Sequence, residues 1–472
     1  MTLEKISTDR IEPNPNPVRA LQFGEGNFMR AFIDWQLQQL NKKDLFNGKV
    51  TVVQPIDRGL ADMLNEQDDR YTVILEGLLD GQVIQDFEII TVIDDVIDPY
   101  KRWQDYLAQA ENDELAFIFS NTTEAGIAYH EGDQLTDTPP QSYPAKLTAF
   151  LYKRWELKKP GFTIIPCELI DRNGDKLKEI VLRYANDWQL PTEFKTWIDT
   201  ENVFCCSLVD RIVPGYPRDN AEEFWDKMGY QDPLMVKAEP FLLWVIEGPQ
   251  SLKESLPLAK AGLNVIVTDD MTPYRERKVH LLNGPHTAMV SLALLADIQT
   301  VEEVMKDADF RPFVDDLFSK ELIPMVDLPQ KELESYAEQI KERFLNPFAN
   351  HQLTSILLNS VSKFSARLLP ILTKFEAEKQ TVPAHIAAAL AGLIVLYRGD
   401  KIKPTDDKEA LDAFEQAWKN PTTVAQDILS NDSLWGMDLT TLPDLATTVQ
   451  TDVTILLEKG ARELVKQLKG EI

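Results

Sequence analysis

An apolar stretch at residues 18–23 runs without a break into Gly24-Glu25-Gly26, and apolar side chains then recur at helical spacing over residues 27–41. Phe28, Phe32 and Trp35 make one series there; Ile33, Leu37 and Leu40 make another. A strand that enters a helix through so short a turn belongs to a fold in which strands and helices alternate. Further strands are expected at 49–53, 115–120, 162–166, 203–209 and 264–268, and an inserted hairpin at 71–78 and 82–92 with Asp80-Gly81 as its turn. Strands separated by helical segments give a mostly parallel sheet covered on both faces.

From about Pro273 the pattern changes. Helical periodicity continues and strand signal almost vanishes. Residues 271–296 and 383–397 are the clearest helices, with breaks at Pro347, Pro370, Pro404 and Pro421. The expected organisation is an α/β domain at 1–269 and a mostly α-helical domain at 270–472.

The chain has 49 Lys and Arg against 76 Asp and Glu, a formal net charge of -27. Such a balance argues against nucleic acid and against an acidic membrane surface, because both need a basic face. An anionic substrate would need a local cluster of cations. Cys167, Cys205 and Cys206 are too few and too badly spaced for a disulfide framework or a zinc site. The first 17 residues show no apolar leader, and the apolar run at 386–397 is too short to span a bilayer. A cytoplasmic setting is expected.

Gly24-x-Gly26 stands where glycines let a backbone approach a pyrophosphate lying on a helix N-terminus. Met29 occupies the place of the usual third glycine, so the turn alone serves a nucleotide or an ordinary tight turn equally well. The acid that meets the adenosine ribose normally ends the second strand. Here that strand ends at Gln54, with Asp57 and Arg58 just beyond. Asp57 favours NAD; Arg58 leaves NADP open.

The segment 275–289 reads RERKVHLLNGPHTAM. On a regular helix Lys278 and His286 lie about 80° apart and Asn283 about 60° from His286. Pro285 is expected to kink this helix or to start a new one at Asn283-Gly284. The trio suits ketone reduction. A lysine ammonium can protonate the developing alkoxide, its amine can act as base in reverse, and an asparagine amide can steady the oxyanion. The same three residues would serve equally as a surface lysine, a capping asparagine and a core histidine.

Taken together, these motifs resemble the mannitol dehydrogenase family of polyol-specific long-chain dehydrogenases. Lys278-x4-Asn283-x2-His286 matches its catalytic motif, and Phe204–Pro214, FCCSLVDRIVP, matches the core of its signature. SNTTEAGI at 120–127 and RNG at 172–174 fit as well. QFGEGNFMRAF at 22–32, LWVIEGP at 243–249 and LNGPHTAMV at 282–290 are similar to members acting on keto sugar acids. The resemblance implies a Rossmann-type first domain and NAD-linked, metal-independent reduction of a small sugar acid. It implies Lys278 as general acid and base, Asn173 and Asn283 as oxyanion donors, and His286 and Asp210 as substrate-positioning residues. Arg343, in RFLNP, matches a substrate-binding arginine that here would face the carboxylate. Gly24, Gly26, Asn27, Phe28 and Asp57 would meet the cofactor. His351 stands near a position where the family often carries lysine.

Three other readings bear on the same residues. A relative specific for another hexuronate or for a neutral polyol differs only in its pocket. A sugar-acid or nucleotide sensor would not need the proton donor. A metal enzyme using His280 and His286 would need two ligands spaced six apart, which suits a helix poorly.

Overall fold

The computed structural model describes residues 3–6, 14–123 and 125–469. Residues 7–13, within the stretch searched for a leader, and Glu124 of the 120–127 motif lie outside the described residues. The chain divides into two units. The first takes the described residues up to Glu76 together with Val83–Met271; the second takes Gly77–Gln82 and the described residues from Thr272 on.

In chain order the strands are β1 (Val18–Phe23), β2 (Lys49–Val53), β3 (Tyr71–Leu79), β4 (Gln82–Ile90), β5 (Ile93–Ile97), β6 (Phe117–Ser120), β7 (Thr163–Pro166), β8 (Val203–Phe204), β9 (Cys206–Asp210), β10 (Val236–Ala238), β11 (Leu243–Glu247) and β12 (Val265–Thr268). Six of them form one sheet in the order β5-β2-β1-β6-β7-β8, parallel throughout. With β3 and β4 set aside as an insertion, this is the doubly wound order 3-2-1-4-5-6, whose direction reverses between β1 and β6.

Alternation along the strands builds two cores. Ala20, Val50, Val52, Phe117 and Phe119 face one side, where Phe32, Leu37 and Leu40 of the first helix cover them. Leu21, Phe23, Val53 and Ile118 face the other, under helices Tyr143–Glu156 and Asn173–Asp187. Period-2 burial on both faces is what a parallel sheet between helical layers requires.

Two strand assignments change. The hairpin arm expected at 82–92 is β4, which lies beside β3 and ends at Ile90; Ile93–Ile97 is an additional strand, not expected from the sequence, that returns to the main sheet beside β2. The stretch 203–209 is two strands. β8 closes the main sheet, while β9 pairs antiparallel with β11 in a three-stranded sheet completed by β12. The Asp80-Gly81 turn holds: both residues have positive φ, 52° and 74°, as a two-residue hairpin turn needs.

The second unit is helical. Gly284–Leu295 and Ala384–Leu396 are buried along almost their whole lengths. Buried Glu321 serves the start of the latter: its carboxylate accepts from the His385 and Ile386 N–H groups at 2.7 and 3.0 Å, satisfying donors a helix N-terminus leaves orphaned. Among the described residues no helix is long and apolar enough to cross a membrane.

Candidate active site

The glycine turn sits where β1 and β6 diverge. Gly24 has φ +113°, and a Cβ there would strike the Asn121 carbonyl oxygen at 2.6 Å, so no other residue fits. Gly26 differs. Nothing lies within 4 Å of a Cβ placed on it, and it precedes the first helical residue, Asn27. The open space is therefore outside the protein's own packing, as a group seated on the helix N-terminus would need. Asn27 is exposed, and its Oδ1 accepts from Arg30 at 2.8 Å; half-buried Phe28 stacks on Phe32 at 4.7 Å.

Beyond β2 the loop is pinned by two side chains. Gln54 Oε1 accepts from Ala61 N–H at 3.2 Å, and Glu25 Oε1 accepts from Leu60 N–H at 3.2 Å. Asp57 and Arg58 are exposed on this loop. Glu25 is buried, and burial raises its carboxyl above the usual range against the pull of the Leu60 N–H and Arg30. Sequence reasoning passed over Glu25, although it stands between the two glycines.

Under the first helix lies a charged cluster that the sequence did not reveal. Arg30 is buried, donates to the Glu25 carbonyl at 3.1 Å and packs over the Tyr71 ring. Asp34 is fully buried and accepts from Tyr71 Oη at 2.8 Å; burial pushes its carboxyl up to about 7.

Asn173 opens the helix after β7. Its Nδ2 lies 3.1, 3.0 and 3.0 Å from the carbonyls of Pro166, Glu168 and Ser207, and its Oδ1 accepts from the Gly174 and Ser207 N–H groups, both at 2.9 Å. Two amide hydrogens thus serve three carbonyls, and the side chain ties β7 to β9. Gly174 allows the close approach, since a Cβ there would meet the Cys205 carbonyl oxygen at 2.2 Å. Asp210 is buried at the end of β9. Neighbouring Arg211 donates to the Glu239 and Ala31 carbonyls at 2.9 and 2.8 Å, and burial lowers its guanidinium to about 9.

In the second unit, residues 272–295 run as α-helix Thr272–Arg277, π-helix Lys278–Asn283 and α-helix Gly284–Leu295. Pro285 has no N–H to give and its ring crowds the preceding turn, so the helix widens instead of stopping. Gly284 N–H reaches back to the Val279 carbonyl, five residues away. Asn283 stays helical and its side chain makes no capping bond, so the expected cap is replaced by a bulge. Lys278 and Asn283, half-buried, bound this wide turn, and His286 follows one turn on. Arg277 secures the entry. It is buried, paired with Glu332 and set over the Tyr336 ring at 4.3 Å.

His286 is 9% exposed and packs against Phe344 at 4.3 Å and edge-on to His351 at 5.0 Å. Its Nε2 is buried with no hydrogen-bond partner. Burial, then the charges of His351, Arg343 and Arg367, push its pKa well below the ordinary value, so the ring is neutral. The loop carrying His351 is fixed by a bridge between Thr300 and Gln352, with Val301 N–H on the His351 carbonyl at 3.0 Å. Arg343, buried, ends helix Gln330–Phe344. Lys278, Asn283, His286, Arg343 and His351 all lie in this unit; the glycine turn, Asp57, Asn173 and Asp210 lie in the other. Among the described residues no three His, Cys, Asp or Glu side chains gather as metal ligands, and the three cysteines are buried thiols.

The strand order and glycine turn define a Rossmann-type unit, followed in the chain by a helical unit that bears a lysine, an asparagine and a neutral histidine around a π-turn. Residues 18–260 match the model of the mannitol dehydrogenase Rossmann domain, and residues 270–457 that of the mannitol dehydrogenase C-terminal domain. The chain belongs to the mannitol dehydrogenase family. An altronate oxidoreductase of Escherichia coli O7:K1 (strain IAI39 / ExPEC) is 45% identical over 468 residues, covering 96% of this chain and 97% of the relative. D-sorbitol dehydrogenase in substrate-free form shares the fold with a TM-score of 0.83 at 20% identity, over 98% of this chain and 100% of that one. Pseudomonas fluorescens mannitol 2-dehydrogenase, in a ternary complex with NAD and D-mannitol, does so with a TM-score of 0.71 at 22% identity, over 100% of both chains.

Proposed function

We propose that this chain is an NAD-dependent oxidoreductase interconverting D-tagaturonate and D-altronate in hexuronate catabolism. The observation that carries the reading is the 45% identity to an altronate oxidoreductase across 96% of the chain. Two features of the molecule support it. The doubly wound sheet with open space at Gly26 fits a dinucleotide. The positive field around His286 suits an anionic substrate in a chain whose net charge is -27.

Bound NAD supplies the hydride acceptor for altronate oxidation. Lys278 removes the hydroxyl proton in that direction and returns it to the oxygen in the other. Asn283, whose amide is not spent on a cap, donates to the oxygen as negative charge builds. Asn173 joins it only by giving up one of its three carbonyls. His286, neutral and unpartnered at Nε2, hydrogen-bonds a substrate hydroxyl. Asp210 orients another hydroxyl, and Arg343 grips the carboxylate. Gly24, Gly26, Asn27 and Phe28 shape the cofactor turn, and Asp57 disfavours a 2′-phosphate.

Lys278→Ala tests the central role. Turnover should fall by about 10²–10⁴-fold, while NADH affinity, read by fluorescence titration, stays within a factor of about two. More than a tenth of wild-type turnover at neutral pH would overturn the assignment.

A further inference from the structure

Arg367 ends helix Ser360–Arg367, outside every motif that the sequence singled out. The structure folds it against the lysine-to-histidine segment at three points. Its carbonyl lies 2.8 Å from His280 Nδ1. A Cβ on Gly284 would sit 3.9 Å from that same carbonyl oxygen. Its guanidinium donates to Thr287 Oγ1 at 3.2 Å, and Thr287 in turn donates to the Asn283 carbonyl at 3.0 Å. Arg367 thus bonds the residue next to His286 and lies two hydrogen bonds from the backbone of Asn283.

Among the described residues its charge has no counterpart. Thr287 takes one N–H of the fork, and among the described residues no protein acceptor meets the rest. No acidic side chain pulls against its burial. That is unusual in a chain with 76 acids and 49 bases, where even buried Arg30, Arg154 and Arg211 feel nearby carboxylates. Burial holds His286 and Lys363 below their ordinary protonation range, and the field of Arg367 adds to it in both. His286 supplies the second mark of a ligand site, a buried Nε2 without a partner. A partly desolvated, unpaired guanidinium beside an unsatisfied imidazole is arranged for an anion with hydroxyl groups next to it.

We propose that Arg367, held by Thr287, is a specificity-determining residue that receives the substrate carboxylate together with Arg343. The proposal rests on the sugar-acid reading and adds a second cation to it. A neutral ketose would leave Arg367 without its partner, so acid and neutral substrates separate at this residue.

The test is steady-state kinetics of Arg367→Gln and Arg367→Lys on D-tagaturonate and D-fructose, with NADH titration and circular dichroism as controls. Charge-assisted bonds of this kind correspond to about 10–100-fold in affinity. Arg367→Gln should raise KM for tagaturonate by about that factor, with kcat and NADH affinity little changed and fructose efficiency within about twofold. Arg367→Lys keeps the charge without the fork and should recover part of the loss. If Arg367→Gln does not fold, Arg367→Lys alone should still raise the tagaturonate KM by about threefold or more. Equal losses on both substrates, or an unchanged tagaturonate KM in the folded variants, would overturn the role of Arg367 and leave Arg343 as the carboxylate's partner. Wild-type enzyme preferring fructose to tagaturonate would overturn the sugar-acid reading itself, and this proposal with it.

Discussion

Replacing His286 with phenylalanine should separate stability from activity. The imidazole is 9% exposed, packs against Phe344 at 4.3 Å, and leaves Nε2 buried without a partner. A buried polar atom left unsatisfied costs about 1–3 kcal/mol. Phenylalanine removes that penalty and keeps an aromatic contact worth about 0.5–1.5 kcal/mol, while its slightly larger ring adds some crowding. The variant should therefore be as stable as wild type or up to about 2 kcal/mol more stable, a rise of about 2–4 °C in Tm for each kcal/mol gained. The pH dependence sharpens the test. The folded pKa of His286 lies well below 6.5, so below that pH the unfolded chain takes up a proton that the folded chain refuses. Wild-type stability should then fall with acidification below pH 6.5 by about 1.4 kcal/mol per pH unit from this group alone. His286→Phe should lose that component of the slope. Meanwhile the substrate hydroxyl loses its partner, and kcat/KM should drop about tenfold or more. Thermal melts from pH 5 to 8, paired with initial rates, read both effects. A variant destabilised by more than about 3 kcal/mol, like an ordinary core truncation, or one retaining full kcat/KM, would refute the reasoning.

Two further outcomes follow from the first unit. Asp57→Ala should narrow the preference for NADH over NADPH, read as the ratio of kcat/KM values; a wild-type enzyme equally efficient with NADPH would show that Arg58 governs the loop. Asp34 has a folded pKa of about 7 against 3.8 unfolded, so it weakens the fold as pH rises from 3.8 to 7. Asp34→Asn should flatten that part of the stability–pH curve and raise Tm at pH 8, and a lower Tm at pH 8 would contradict it.

The sequence displayed what local pattern carries. Residues 18–41 announced strand, glycine turn and helix, and Asp80-Gly81 announced its hairpin. β5 escaped notice because Asp94 and Asp95 interrupt its apolar run. The split at Cys205 was invisible because β8 and β9 read as one apolar stretch, although they join different sheets. Pro285 signalled a disturbance in the catalytic segment, but only packing decides between a break and a π-turn. The motif spacing that marked Lys278, Asn283 and His286 does not extend to Arg367. Its isolation from carboxylates exists only once helix Ser360–Arg367 is packed. Asn173 looked like an oxyanion donor through its RNG motif; the three carbonyls around its amide come from β7, β9 and the intervening turn, and no sequence window joins them.

The most direct measurement is NADH oxidation by the purified wild-type protein against D-tagaturonate, D-fructuronate and D-fructose, followed at 340 nm in the same buffer. The account predicts the highest kcat/KM for tagaturonate and the lowest for fructose. A higher kcat/KM for fructuronate would move the chain to another hexuronate, and a higher value for fructose would contradict the sugar-acid pocket altogether.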